Sequence, residues 1–136
     1  MFSLNERLQA DTRHVTDLGL CRVLLMNNAL WPWLILVPMR ENAVEIHRLD
    51  EADQTALMRE IVLASRVVER LFAPDKMNVG ALGNMVPQLH VHVIGRKRGD
   101  PAWPGPVWGS GHARPYEPAE AAALVDRLAE GLRKDA

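Results

Sequence analysis

Cysteine is nearly absent from this chain of 136 residues. Cys21 stands alone, so neither a disulfide framework nor a multi-cysteine zinc site can be built within one chain. On an apolar stretch it reads as an inert buried thiol. Net charge is nearly absent too. Sixteen Lys and Arg oppose seventeen Asp and Glu, for a sum of −1. That disfavours nucleic acid, which is held mainly by phosphate neutralisation, but leaves room for a local basic pocket. No run of about 20 apolar residues occurs. The long uncharged stretch at residues 23–39 is interrupted by Asn27, Asn28, Pro32 and Pro38, so no membrane partner is expected. The opening Met1-Phe2-Ser3-Leu4-Asn5-Glu6-Arg7-Leu8 lacks the layout of a secretory signal, and the expectation is a cytoplasmic protein.

What is present is an ordinary globular composition, 48% apolar and 24% charged. The length suits one domain over residues 1–136, large enough to bury about two-thirds of its unfolded surface without a staple. Any chemistry must come from five histidines, the amides and the arginines.

The hydrophobic pattern predicts an α+β fold. A short helix opens near Leu4 and Leu8, with Ser3 as its expected N-cap and Glu6 three residues on. Strands are expected at residues 12–18, 21–26 and 33–37, broken by Asp17-Leu18-Gly19 and by Asn27-Asn28. Asp50 should cap a long helix whose core face is Leu57, Ile61, Ala64, Val68 and Leu71, with Pro74-Asp75 after its end. Two more strands are expected at 76–82 and 89–94. An irregular Pro-, Gly- and Trp-rich excursion at 99–118 and a helix at about 117–132 complete the chain. Hairpin-linked strands on either side of one long helix imply an antiparallel sheet of about five strands.

The stretch that carries chemistry is Gln88-Leu89-His90-Val91-His92-Val93-Ile94-Gly95-Arg96. On a strand, Leu89, Val91 and Val93 share the core face, while Gln88, His90 and His92 line the other at spacings of about 7 Å. Three readings fit this polar strip. The histidines can be structural and hydrogen-bonded. They can ligate a metal, with His14, His47, His112 or one of several carboxylates completing the set, although none has a diagnostic spacing. Or one imidazole can attack phosphorus while its neighbour binds the oxygens.

The stretch resembles the signature of the histidine triad (HIT) superfamily of nucleotide hydrolases and transferases, three histidines alternating with apolar residues. Val93-Ile94-Gly95-Arg96 after His92 fixes the frame. His92 matches the third histidine and His90 the middle one, and Gln88 stands in place of the first. Asn27 or Asn28 followed by Trp33-Leu34-Ile35-Leu36-Val37-Pro38-Met39-Arg40 is similar to the family's Asn, strand and Pro-x-Arg segment. Asn78-Val79-Gly80 and Gly83-Asn84 resemble its Asn-x-Gly strand and the turn before the triad.

The resemblance implies that His90 attacks the α-phosphate of a dinucleoside polyphosphate or a nucleoside monophosphate derivative. A nucleotidyl-histidine forms, and water or another acceptor resolves it. It makes Gln88, His90 and His92 the catalytic set, with His92 on the α-phosphate or the leaving oxygen. Asn84 would hold phosphate oxygens, Asn27 or Asn28 the ribose, and Asn78 and Arg96 complete the nucleotide-binding set. It implies a homodimer and no cofactor for the chemical step; a divalent metal would arrive only with a polyphosphate substrate. Three departures accompany it. Gln88 replaces the first histidine, Trp33 replaces a further histidine that bonds to that first one, and Met85 replaces a hydroxyl residue near the phosphate. Gln beside Trp need not make the lost bond, so the pair of changes retunes the nucleophile rather than removing it. The alternatives are a nucleotide-binding or signalling module without turnover, and a metal-dependent His-x-His protein.

Arg96, Lys97 and Arg98 form a basic run that suits either a solvated strand end or a distal phosphate. Trp103 and Trp108 lie in the long loop, where a nucleobase or a second subunit could cover them. His112, in the same loop, is expected to face solvent.

Overall fold

In a computed structural model describing residues 1–136, the eight principal elements are α1 (Glu6–Asp11), β1 (Thr12–Asp17), β2 (Cys21–Met26), β3 (Trp33–Pro38), α2 (Glu51–Phe72), β4 (Lys76–Gly80), β5 (Val91–Arg96) and α3 (Pro118–Asp135). The five strands form one antiparallel sheet in the order β1-β2-β3-β5-β4. The fold is α+β, as the pattern predicts. No helix is long and apolar enough to cross a membrane.

Local chemistry sets the boundaries. Asp50 caps α2, its carboxylate accepting from the Asp53 N–H at 2.8 Å. The helix ends at Ala73 in the left-handed region (φ 47°), followed by Pro74, which cannot continue it. The first helix begins later than expected. Asn5, not Ser3, caps it, because Ser3 lies in an extended arm whose carbonyl accepts from Gln88 Nε2. The last strand is also shifted. It starts at Val91 rather than Leu89, since the Leu89 N–H leaves the ladder to donate to the Ala43 carbonyl.

The sheet is covered on both faces, and β3 and β5 are buried along their whole length. One face packs Val23, Leu34, Leu36, Val91 and Val93 against α2 and α3. There Leu57, Ile61, Ala64 and Val68 point inward as the helical spacing predicts, joined by Val67, while Leu71 is only partly buried. Glu60 ties α2 to the β1–β2 turn by accepting from the backbone N–H of Leu20 and Cys21. The other face is a smaller core of Leu24, Trp33, Ile35, Val37 and Ile94, closed by Leu8, Trp31, Val86 and Val107. It is this second face that opens into a cleft.

Candidate active site

His92 sits on β5 opposite Ile35 of β3 and Gly80 of β4, on the face away from the long helix. Trp33 lies one diagonal step away, opposite Ile94, close enough for an aromatic side chain to reach. Its indole Nε1–H donates to His92 Nδ1 at 3.0 Å, and both groups are buried. His90 lies just before the strand. A carbonyl can only accept, so His90 Nδ1–H donates to the Gln88 carbonyl, at 2.6 Å. The two imidazoles meet edge to face, with centroids 5.0 Å apart.

These bonds fix which nitrogens remain. Each Nδ1 is used, so each imidazole has only Nε2 left. Neither Nε2 has a partner within the chain, and neither is sealed from solvent. On His90 this leaves a lone pair, and on His92 an N–H. Burial pushes the His92 pKa down to about 4, with the neighbouring His90 adding to the shift. His92 is therefore neutral near pH 7.

Both histidines line a cleft of about 690 Å³. Its walls come from α1, from the end of β2, from the turn at residues 82–86, and from residues 107–113 of the long loop. Gly80 matters here. A Cβ at that position would come within 3.1 Å of Trp108 Cη2, so glycine lets the Trp108 ring lie against His92, with centroids 5.4 Å apart.

The expected site residues separate into two groups. Asn27, Asn28 and Asn84 line the cleft with the histidines. Asn84 is exposed, in the turn that Gly83 allows with its φ of 73°. Asn27 is exposed, and its Oδ1 accepts from the Tyr116 N–H, leaving its amide nitrogen unpartnered. Asn28 is buried and committed. Its Nδ2 donates to the His112 carbonyl, and its Oδ1 accepts from the N–H of Leu30 and of Arg114. It fastens the loop that walls the cleft rather than offering a free amide. His112 is exposed at the rim, as expected.

Gln88, Asn78 and Arg96 depart from their expected places. The Gln88 side chain does not reach the other histidine or Trp33. It accepts from the Asn5 N–H and donates to the Ser3 carbonyl, both at 2.8 Å, pinning the N-terminal arm. Only its backbone carbonyl serves the site. Arg96 is neither a solvated strand end nor a free phosphate ligand. It is 2% exposed, forms a two-pronged pair with Asp100 at 2.8 and 3.0 Å, and donates to Asn78 Oδ1 at 2.8 Å. Trp103 stacks on the guanidinium. Asn78 is spent on that bond, and neither residue lines the cleft. Cys21 is fully buried, and desolvation pushes its thiol far above the usual range.

Sequence reasoning missed two contributors. Trp33 enters there only as a replacement for a histidine, but it is the partner of His92. Trp108 is left open between nucleobase and subunit contact, but its ring covers His92 from the loop. A signal for Trp33 existed, since it shares a strand face with Ile35; what was lacking was the pairing of β3 with β5. No group of three or more His, Cys, Asp or Glu side chains is placed to hold a metal ion.

The family model described as "HIT domain" matches residues 7–99. A histidine triad protein from Marinobacter aquaeolei VT8 is 49% identical, superposing with a TM-score of 0.95 over 100% of this chain and 99% of that one. One from Sinorhizobium meliloti 1021 is 47% identical, with a TM-score of 0.93 and 96% of each chain covered. Another from Bradyrhizobium japonicum is 46% identical, with a TM-score of 0.93 over 96% of this chain and 98% of that one. No curated protein sequence matches the chain.

Proposed function

The chain belongs to the histidine triad family, and from that premise we propose that it is a nucleotide hydrolase or nucleotidyl transferase with His90 as its nucleophile. The observation that carries this reading is the hydrogen bond from His90 Nδ1–H to the Gln88 carbonyl, which directs the Nε2 lone pair into the cleft. An imidazole whose Nδ1–H is so held presents its Nε2 lone pair as the nucleophile. Its Nε2 forms a bond to the α-phosphorus while the bond from phosphorus to the leaving oxygen breaks, and the electron pair departs on that oxygen. Water then attacks the phosphorus of the nucleotidyl-histidine, the nitrogen–phosphorus bond breaks with its electron pair returning to His90 Nε2, and a nucleoside monophosphate leaves as the water's proton passes to solvent. Another acceptor in place of water makes the reaction a transfer.

His92 Nε2–H stabilises oxygen charge as it develops. The free amide of Asn27 suits a ribose hydroxyl, and exposed Asn84 suits a phosphate oxygen. The chain acts as a homodimer in this proposal, with β4, one of the two edge strands of the sheet, as a candidate for pairing; light scattering reads the mass in solution.

The test is intact-mass spectrometry after brief incubation with diadenosine tetraphosphate. The expected result is an AMP adduct mapped to His90, with AMP release lost in His90→Ala. Turnover that survives this substitution would falsify the covalent route, and nucleotide binding with neither adduct nor AMP would mark a binding module.

A further inference from the structure

The bond between Trp33 and His92 has a chemical consequence that rests on the reading above. An indole N–H can only donate, so His92 Nδ1 must present a lone pair to it. A neutral imidazole carries one proton, which is then on Nε2, the nitrogen that opens on the cleft. Protonating Nδ1 would bring two N–H groups face to face inside a buried contact.

We infer that Trp33 is a positioning residue that fixes His92 as a neutral Nε2–H donor, and that the site therefore acts on substrates whose leaving group departs as an anion. His92 so held can hydrogen-bond to a leaving atom but has no proton to transfer, since losing its only one would create an imidazolate. In an anhydride between phosphates, the departing oxygen spreads its electron pair over its own phosphoryl group and needs no proton. In a phosphoramidate, the departing nitrogen must be protonated as the nitrogen–phosphorus bond breaks. A nucleoside phosphoanhydride therefore fits this pair, and a phosphoramidate does not.

The surroundings of His92 agree. Trp33 and Ile35 from β3, Gly80 from β4 and Trp108 from the loop pack around it, and none is charged. His90 is the one titratable group against its ring. The other titratable or charged residues lining the cleft are Arg7 and Asp11, within 3.9 Å of each other, and His112, which is exposed at the rim and not in contact with the His92 ring. Met85, which also lines the cleft, has no proton to give.

Nitrogen-15 NMR of the unaltered protein reads the tautomer directly. The expected result is His92 with Nδ1 unprotonated and Nε2 protonated between pH 8 and pH 5. An Nδ1–H tautomer, or an imidazolium at pH 6–7, overturns the assignment of Trp33. Trp33→Phe keeps a ring and removes the donor. It should mix the two tautomers, raise the pH at which His92 titrates, and lower kcat on diadenosine tetraphosphate by about 10- to 100-fold with little change in KM. Unchanged tautomer and unchanged kcat in that variant refute the positioning role. For substrate, kcat/KM for diadenosine tetraphosphate should exceed that for adenosine phosphoramidate by at least about 100-fold, the contribution of general-acid catalysis that His92 in this tautomer does not supply. Equal efficiency on both overturns the leaving-group inference. Absence of any His90 adduct instead sinks the proposed function, and the NMR result still decides the role of Trp33.

Discussion

Lowering the pH should destabilise this protein through His92 in a measurable window. In the unfolded chain a histidine titrates near 6.5, whereas burial and the nearby His90 hold folded His92 at about 4. Above pH 6.5 the residue is neutral in both states and contributes no pH dependence. Between 6.5 and 4 the unfolded chain takes up a proton that the folded chain refuses. Unfolding is then favoured increasingly as pH falls, with a slope approaching about 1.4 kcal/mol per pH unit. Over the whole window the loss is on the order of 3 kcal/mol, a large share of the stability of a small protein. Urea unfolding of the wild type and of His92→Gln, at several pH values from 7.5 to 4.5, isolates this effect, since carboxylates such as Asp17 and Asp100 titrate in both proteins and cancel. The wild type should lose stability faster than the variant below pH 6.5. A difference that stays constant across the range refutes the reasoning. It would mean that folded His92 accepts a proton as readily as the unfolded chain, which the Trp33 indole at 3.0 Å forbids.

Three further substitutions probe the frame around the site. Asp100→Asn leaves the buried Arg96 guanidinium without its counter-charge and should cost about 3–5 kcal/mol in chemical denaturation. Arg96 holds the Asp100 carboxyl well below its usual range, so this pair's contribution should be intact above about pH 4 and should fade as the pH drops further. Gly95→Ala would put a Cβ 2.9 Å from Pro32 Cγ and 3.1 Å from Val68 Cγ1, and a loss of about 1–3 kcal/mol should appear as a lower Tm. Gln88→Ala removes both bonds to the N-terminal arm, about 1–2 kcal/mol. Its AMP release should fall far less than that of His90→Ala, because the carbonyl that orients His90 remains.

The sheet and the long helix were legible because their signals are local. Leu57, Ile61, Ala64 and Val68 recur at helical spacing, and Asp50 announces the start. The histidine strip was legible as one face of a strand, but its partners were not. Trp33 and His92 are 59 residues apart, and only the pairing of β3 with β5 brings the indole to the imidazole. The burial of Arg96 is hidden from the sequence for a related reason. It shares a face with His92 and Ile94, so it points into the sheet's covered side, where the turn after β5 folds Asp100 back onto it. Gln88 falls outside the strip because β5 starts at Val91, two residues later than the alternation implies. Once Leu89 pairs with Ala43, position 88 swings toward Ser3 and Asn5.

The two unequal cores on either side of the sheet divide labour in a way that bears on how such a protein can change. The residues that pack α2 and α3 against the strands contribute nothing to the cleft, and of the cleft's apolar lining Leu8, Trp33, Ile35, Val86 and Val107 belong to the smaller core. A substitution in the cleft therefore tests its chemistry against the smaller core alone, while the larger one keeps the strands in register. Exchanges at positions 33 and 85 fall on the cleft side of the sheet and touch none of the residues that hold α2 and α3. The cleft's selectivity and the sheet's register therefore rest on different side chains.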